Sequence, residues 1–547
     1  MPEGTFFEKR DAPHPTVADA SFAYSSGYGI LIALMQIKQA HFYGGERAMQ
    51  QWLGAFRKWL AFITMAAVLT GGLLSVAWSM GLTSHASERV ETNQDGYLNR
   101  PDTSIAMAQD SKAAETVFLP LLAQSYPLPP PIFGTEMKST SPQYSGLASD
   151  AGVNWLRFPA FDWDRIQPTR TSTYDWQTVD EVSLRNAAAE GLQIIGTIKF
   201  TPEWAQKVTG SFCGPIKQDA LEEYAQFLTA LVKRYSQEPY NIQYWELGNE
   251  PDVDPAWVEP RQIFGCWGDV HDPYYGGGYY AEMLKVAYPA IKAADPRAQV
   301  LIGGLLLDCD PTHPPQDKNC KPAKFLEGIL RNGGGSYFDI VGFHGYPLYA
   351  GNLKWEELDP TWAARGGVVL GRIDFLREVM ATYDVDKPLM HTEGGLLCHP
   401  NSPFCNPPEP EFYQQQADYV IWLFVRNWAQ GLKATIWYHF EDAGWRYSGL
   451  LDENQQPKPA YDALKFLAQE LDGATYEKAI TRYPGLRAYE FSASGKKVWV
   501  LWSPDEQPQV ISLPENADKA YDKYGMSLTP VEGEVTVKSP IYVELTP

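Results

Sequence analysis

Two glutamates in this chain of 547 residues stand where acid–base and nucleophilic chemistry could be done. Glu250 lies in Trp245-Glu246-Leu247-Gly248-Asn249-Glu250-Pro251 and Glu393 in His391-Thr392-Glu393-Gly394-Gly395, each closing a short apolar run. A protonated carboxyl group can give its proton to a departing oxygen while an ionised partner attacks carbon or activates water, the division of labour that cleaving an acetal requires. At a spacing of about 5 Å the partner attacks carbon directly and configuration is kept; a gap of about 7–9 Å admits a water and inverts it. Structural carboxylates are common, so the elements that hold the pair must decide.

Those elements repeat. Apolar runs recur at Ile132–Glu136, Asn154–Phe158, Gln193–Ile198, Tyr244–Gly248, Val300–Gly303, Ile340–Phe343, Pro388–Thr392 and Ala434–Tyr438. Continuous apolar runs suit parallel strands buried on both faces, and the intervals leave room for a crossover helix each time. Helices are expected over Thr178–Glu190, Ala220–Tyr235, Tyr279–Ala294, Arg372–Tyr383 and Phe412–Gln430. The pattern specifies an α/β fold, a (β/α)8 TIM barrel over residues 132–470, whose chemistry belongs at the strand ends. Reading those ends gives Glu136, Arg157, Lys199, Asn249 with Glu250, Asp308, His344 with Tyr346, Glu393 and the stretch Trp437–Phe440. Glu250 and Glu393 then follow the fourth and seventh strands. After Leu471 the period changes to two, in Leu486–Phe491, Lys497–Trp502, Gln509–Leu513 and Ile541–Leu545, which reads as a small C-terminal antiparallel, β-sandwich-like domain over 471–547.

Here the motifs become specific. Gly248-Asn249-Glu250-Pro251, Thr392-Glu393-Gly394, Arg157 on the second strand and His344 with Tyr346 after the sixth resemble clan A retaining glycoside hydrolases. Thr201-Pro202-Glu203-Trp204-Ala205, Ser448–Asp452, Pro457–Tyr461 and the appended β domain are most similar to family 39, the β-xylosidase and α-L-iduronidase relatives, with family 5 cellulase-like enzymes as the competitor. The resemblance implies Glu250 as acid/base and Glu393 as nucleophile, acting on O-glycosidic bonds without metal or organic cofactor. It further implies that Asn249 bonds the sugar 2-hydroxyl, that Arg157 and Tyr346 orient Glu393 and keep it ionised, and that Trp437 forms an apolar floor. His344, Trp204 and Glu136 complete the candidate substrate contacts. A non-catalytic carbohydrate-binding protein on the same scaffold, or a transglycosylase, are the alternatives. The loops after strands four and six carry Trp257, Phe264, Trp267, Tyr274, Tyr275, Tyr349, Trp355 and Trp362, a cluster that suits the apolar faces of sugars.

The N-terminal part reads as an address. Trp59–Ser84 holds no Lys, Arg, Asp or Glu and is long enough for a transmembrane helix or signal anchor, while Arg57 and Lys58 before it place residues 1–58 in the cytoplasm. The same run also reads as a late signal cleaved near Ala86, giving a secreted protein. Either way the linker 85–131 and everything after it are exported. The stretch Thr116–Leu122 could add an edge strand to a later domain.

The six cysteines all follow residue 212. Close spacing suggests Cys309 with Cys320 and Cys398 with Cys405, leaving Cys213 for Cys266. A metal site at Cys398, His399 and Cys405 lacks the paired spacing of zinc sites. The 66 acidic against 45 basic residues give a net charge of -21, which disfavours a nucleic-acid partner and suits a neutral sugar better than an anionic one.

Overall fold

The computed structural model describes residues 131–546 apart from 260, 400, 442–444 and 494, and only the backbone at Trp355. All eight apolar runs are strands: β1 Phe133–Glu136, β2 Trp155–Asp162, β3 Gln193–Lys199, β4 Tyr244–Leu247, β5 Gln299–Leu305, β6 Ile340–Gly345, β7 Leu389–Gly394 and β8 Ala434–Trp437. They pair in parallel, each with its neighbours in sequence, and β1 closes on β8 through Phe133 opposite Thr435 and Thr135 opposite Trp437. Closure brings the two backbones close at Gly134, where a Cβ would stand 2.4 Å from the Ile436 side chain. A helix follows each strand: α1 Pro142–Asp150, α2 Glu181–Ala189, α3 Leu221–Tyr235, α4 Gly277–Ala294, α5 Phe325–Arg331, α6 Leu370–Thr382, α7 Pro410–Ala429 and α8 Pro459–Glu470.

Two apolar layers account for the barrel. Trp155, Ile195, Leu301, Ile340, Met390, Ala434 and Ile436 fill its interior below the mouth, as expected of a packed barrel with no pore. Between strands and helices runs a second layer, to which α3 contributes Leu221, Tyr224, Phe227, Leu228, Leu231, Val232 and Tyr235, spaced for one face of a 3.6-residue helix. Glu222 and Glu223 in its first turn and Lys233 and Arg234 in its last match the helix dipole.

Beyond the barrel, β9 Thr475–Ala479, β10 Arg487–Ala493, β11 Lys496–Trp502, β13 Ala517–Asp522 and β15 Ile541–Leu545 form one antiparallel sheet in the order β9-β10-β11-β15-β13, and β12 Gln509–Ser512 pairs with β14 Glu534–Val537. This sheet is fastened to α7 and α8 by Trp422 stacked on Trp502, Phe466 edge-on to Tyr542, and the Lys523–Asp418 ion pair at 2.6 Å.

Three disulfides join Cys213 to Cys266, Cys309 to Cys320 and Cys398 to Cys405, which leaves no thiol at Cys398 or Cys405 for a metal. All six cysteines lie in loops after strands three, four, five and seven, at one end of the barrel. No helix among the described residues is long and apolar enough to cross a membrane; the expected anchor at 59–84, the segment 1–58, the linker up to residue 130 and the edge strand at 116–122 lie outside them.

Candidate active site

Register sets the site. Glu136 pairs with Arg157 across β1 and β2, Thr197 with Glu246 across β3 and β4, and His344 with Glu393 across β6 and β7. These polar residues crown the apolar interior at the end where the strands give way to loops.

Arg157 is the hub. Its guanidinium, 2% exposed, donates from Nε to Glu246 at 2.7 Å, from Nη1 to both Glu136 and Glu393 at 2.5 Å, and from Nη2 to the Asn249 side-chain oxygen at 2.6 Å. Only the planar fork of an arginine serves four acceptors at once. Burial pulls the Arg157 pKa down, but Glu246, Glu136 and Glu393 outweigh it and hold the group charged. Glu246 takes a second bond from the Thr197 hydroxyl at 2.8 Å. Sequence reasoning passed over Glu246; the signal was a carboxylate inside the buried strand Tyr244–Leu247, which cannot stay charged there without a cation.

Glu250 follows β4 across a sharp turn. Gly248 has φ of 91° and Glu250 itself 52°, a left-handed step that costs a non-glycine residue of the order of 1 kcal/mol or more. The turn brings its carboxyl to His344, whose Nδ1 lies 2.7 Å from Glu250 and 3.4 Å from Glu393. Burial, reinforced by Arg157, lowers the His344 pKa well below 6.5, so its ring is neutral. The Tyr346 hydroxyl donates to the second oxygen of Glu393 at 2.6 Å.

These contacts separate the two glutamates. Burial is the largest influence on both. It pushes Glu393 up to about 8 against the pull of Arg157, with Glu136 adding to the rise and Tyr346 opposing it. Glu250 is raised well above the carboxylate range by burial and then by the charge of Glu393. Glu393 has a guanidinium on one oxygen and a hydroxyl on the other, whereas the partner of Glu250 is a neutral imidazole. Of the pair, Glu393 ionises first and the proton stays on Glu250.

Glu250, His344 and Glu393 can each place one ligand atom within 4.8 Å of the others. This is the one grouping among the described residues that could hold a metal ion, yet both Glu393 oxygens are already bonded by Arg157 and Tyr346. The arrangement fits proton sharing better than metal ligation.

Other expected contacts divide. Asn249 spends its oxygen on Arg157 and one amide hydrogen on the Ile263 carbonyl, at 3.1 Å, which leaves one hydrogen to offer. Glu136 stands beside Glu393 on the same guanidinium nitrogen. Trp437 is fully buried, donating to the Ser448 carbonyl and packing against Tyr419, so its ring has no face open to a ligand. The rings at the mouth are instead Tyr346, Tyr438 and Trp445, in mutual edge contact at 5.2–6.1 Å. Trp204 bonds the Gln167 carbonyl and meets Trp163 edge-on, contacts that tie it to the loop after β2 and not to either carboxylate. In the loops after β4 and β6, Trp267, Tyr275, Tyr349 and Trp362 are buried packing residues, while Trp257 is 75% exposed.

No family model and no curated protein matches the sequence. Among solved structures, a family 39 glycoside hydrolase from the gut symbiont Bacteroides cellulosilyticus WH2 matches at 17% identity over 76% of this chain and 81% of its own, with a TM-score of 0.58. A conserved exported protein from Bacteroides fragilis matches at 12% over 76% and 97%, TM-score 0.54, and a glucosidase from Croceicoccus marinus at 13% over 76% and 96%, TM-score 0.50. At these identities the likeness is one of fold, and it is the fold that the motif resemblance implies.

Proposed function

We propose that the chain is a retaining glycoside hydrolase in which Glu393 is the nucleophile and Glu250 the acid/base. The observation that carries this reading is the approach of carboxylate oxygens of Glu250 and Glu393 to within 4.8 Å at the ends of β4 and β7. So close an approach accords with the roughly 5–5.5 Å separation of direct attack better than with the wider gap of inversion.

In the first step an ionised Glu393 oxygen bonds the anomeric carbon, the bond from that carbon to the leaving oxygen breaks, and the Glu250 proton passes to that oxygen. Glycosylation removes the Glu393 charge, so Glu250 becomes the stronger acid of its two states and stays ionised. In the second step Glu250 takes a proton from water, the resulting oxygen bonds the anomeric carbon, and the bond to Glu393 breaks, restoring both groups. Arg157 and Tyr346 hold Glu393 in line throughout. The spare amide hydrogen of Asn249 suits the sugar 2-hydroxyl, where a bond that tightens in the transition state lowers the barrier.

The motifs shared with family 39, and a fold likeness to one of its members, support placing the chain near that family. Three disulfides suit an oxidising compartment, and the charge-free run Trp59–Ser84 is read as the membrane anchor or signal that delivers the barrel there. The test is turnover of a panel of aryl glycosides by the full-length chain, with product configuration followed by NMR. Release of the sugar with its anomeric configuration kept supports the reading; inversion, or no turnover across the panel, contradicts it.

A further inference from the structure

The Arg157 Nη1 atom that orients the nucleophile also holds a second carboxylate. Glu136 Oε2 and Glu393 Oε1 are each 2.5 Å from it, so the two oxygens are no more than about 5 Å apart. Any sugar bonded to Glu393 is therefore within reach of Glu136. The position of Glu136 is fixed by its neighbours: its carbonyl accepts from the Phe440 amide at 2.9 Å, and the Thr135 hydroxyl ties the same turn to the Trp437 carbonyl. The residue is 6% exposed, yet its second oxygen makes no hydrogen bond among the described residues. A fixed, half-partnered carboxylate that keeps residual exposure beside the reacting centre is an acceptor open to a donor.

The charge around it restricts that donor. Glu136, Glu246, Glu250 and Glu393 share Arg157, whose fork already serves three of them and Asn249. Lys199 lies 3.7 Å from Asp162 and over the Phe200 ring. Arg446 lies over the Trp445 ring, which meets Tyr346 edge-on. A sugar carboxylate entering here would meet four carboxylates that share one guanidinium, whereas hydroxyl groups supply donors that this acceptor-rich site lacks.

Resting on the glycosidase reading, we propose that Glu136 is a specificity-determining residue whose free oxygen accepts a hydroxyl hydrogen of the reacting sugar, and that the site takes neutral sugars and rejects uronic acids. The test compares kcat/KM of the full-length protein on aryl glycosides paired by stereochemistry and differing at C6, glucoside against glucuronide and galactoside against galacturonide. The neutral member of a pair should be preferred by at least about 100-fold, because a like charge enters among carboxylates that share one guanidinium. A uronide turned over as well as its neutral partner overturns this proposal and leaves the glycosidase reading standing; no turnover of any glycoside overturns both. This comparison needs no variant. Glu136→Gln adds a second arm: kcat/KM on the preferred sugar should fall about 10- to 100-fold, the effect of weakening a hydrogen bond to a charged group. On the monodeoxy analogue that lacks the bonded hydroxyl the same substitution should change it less than about threefold. An equal loss on every deoxy analogue would mark Glu136 as merely structural and overturn its assigned role.

Discussion

The Tyr346 hydroxyl donates to Oε2 of Glu393 at 2.6 Å, while Arg157 donates to the other oxygen of the same carboxylate. The nucleophile is thus held from both sides, and the hydroxyl opposes the rise that burial imposes on its pKa.

Tyr346→Phe removes that opposition. Activity requires Glu393 ionised, so the acidic limb of the kcat/KM profile reports its pKa and should lie above the ordinary carboxylate range, toward the value of about 8. In the variant this limb should move further up in pH, and kcat/KM at neutral pH should fall about 10- to 100-fold. A full pH–rate profile for both proteins checks this; an unmoved limb would mean that the hydroxyl does not tune the nucleophile.

Glu250→Gln should stabilise the protein while crippling it. The folded pKa of Glu250 is raised, so the stability that goes with its neutral form is complete below the unfolded value and is lost as pH rises through the folded one. Glutamine carries no charge to bury. The stability of the variant should exceed that of the wild type by a margin that widens as pH rises above about 5, by at most about 1.4 kcal/mol per pH unit. Calorimetry across that range reads the trend, and a gap that narrows with rising pH would contradict it.

The Cys213–Cys266 bond joins the loops after β3 and β4, and the second loop supplies the Ile263 carbonyl that anchors Asn249. Replacing both cysteines by serine should cost about 2–4 kcal/mol of stability. It should also lower kcat/KM more than the same change at Cys309 and Cys320, whose loop reaches the site through the Leu306 and Leu307 amides on Asp252, ahead of the bridged residues. Kinetics of the two double variants distinguish these loops; equal effects would mean that Asn249 does not depend on the brace.

Arg426 and Glu356 pair at 2.6 Å with 2% and 1% of their side chains exposed. Glu356→Ala leaves a buried guanidinium without its carboxylate and should destabilise by about 3–5 kcal/mol. Denaturant unfolding of this variant, and of one in which Arg426→Met is added, gives the measurement; the second change should recover much of the loss.

Much of this was legible in the sequence because strands buried on both faces must be apolar throughout. The polar residues that close such runs, Arg157, Glu250, His344 and Glu393, then stand out. What was not legible follows from pleat and length. Which face of β8 a residue takes depends on register, and a slip of one reverses every side chain. Trp437 turns outward onto Tyr419, and Tyr438 reaches the mouth in its place. The helix α1 buries only Ser145 and Ala148 and starts on a proline, so it shows no apolar stripe. The helix α5 has seven residues, two turns, too few for a period to declare itself. Glu246 was hidden inside an apolar run because its meaning depends on Arg157, 89 residues away in sequence.

The nucleophile is tested most directly by trapping it. The wild-type protein is incubated with the 2-deoxy-2-fluoro glycosyl fluoride of whichever sugar it turns over, and the adduct is located by mass spectrometry of its peptides. One added glycosyl group on the peptide that contains Glu393 is the expected result. An adduct on Glu136, Glu246 or Glu250, or turnover with no adduct and an inverted product, would contradict the assignment.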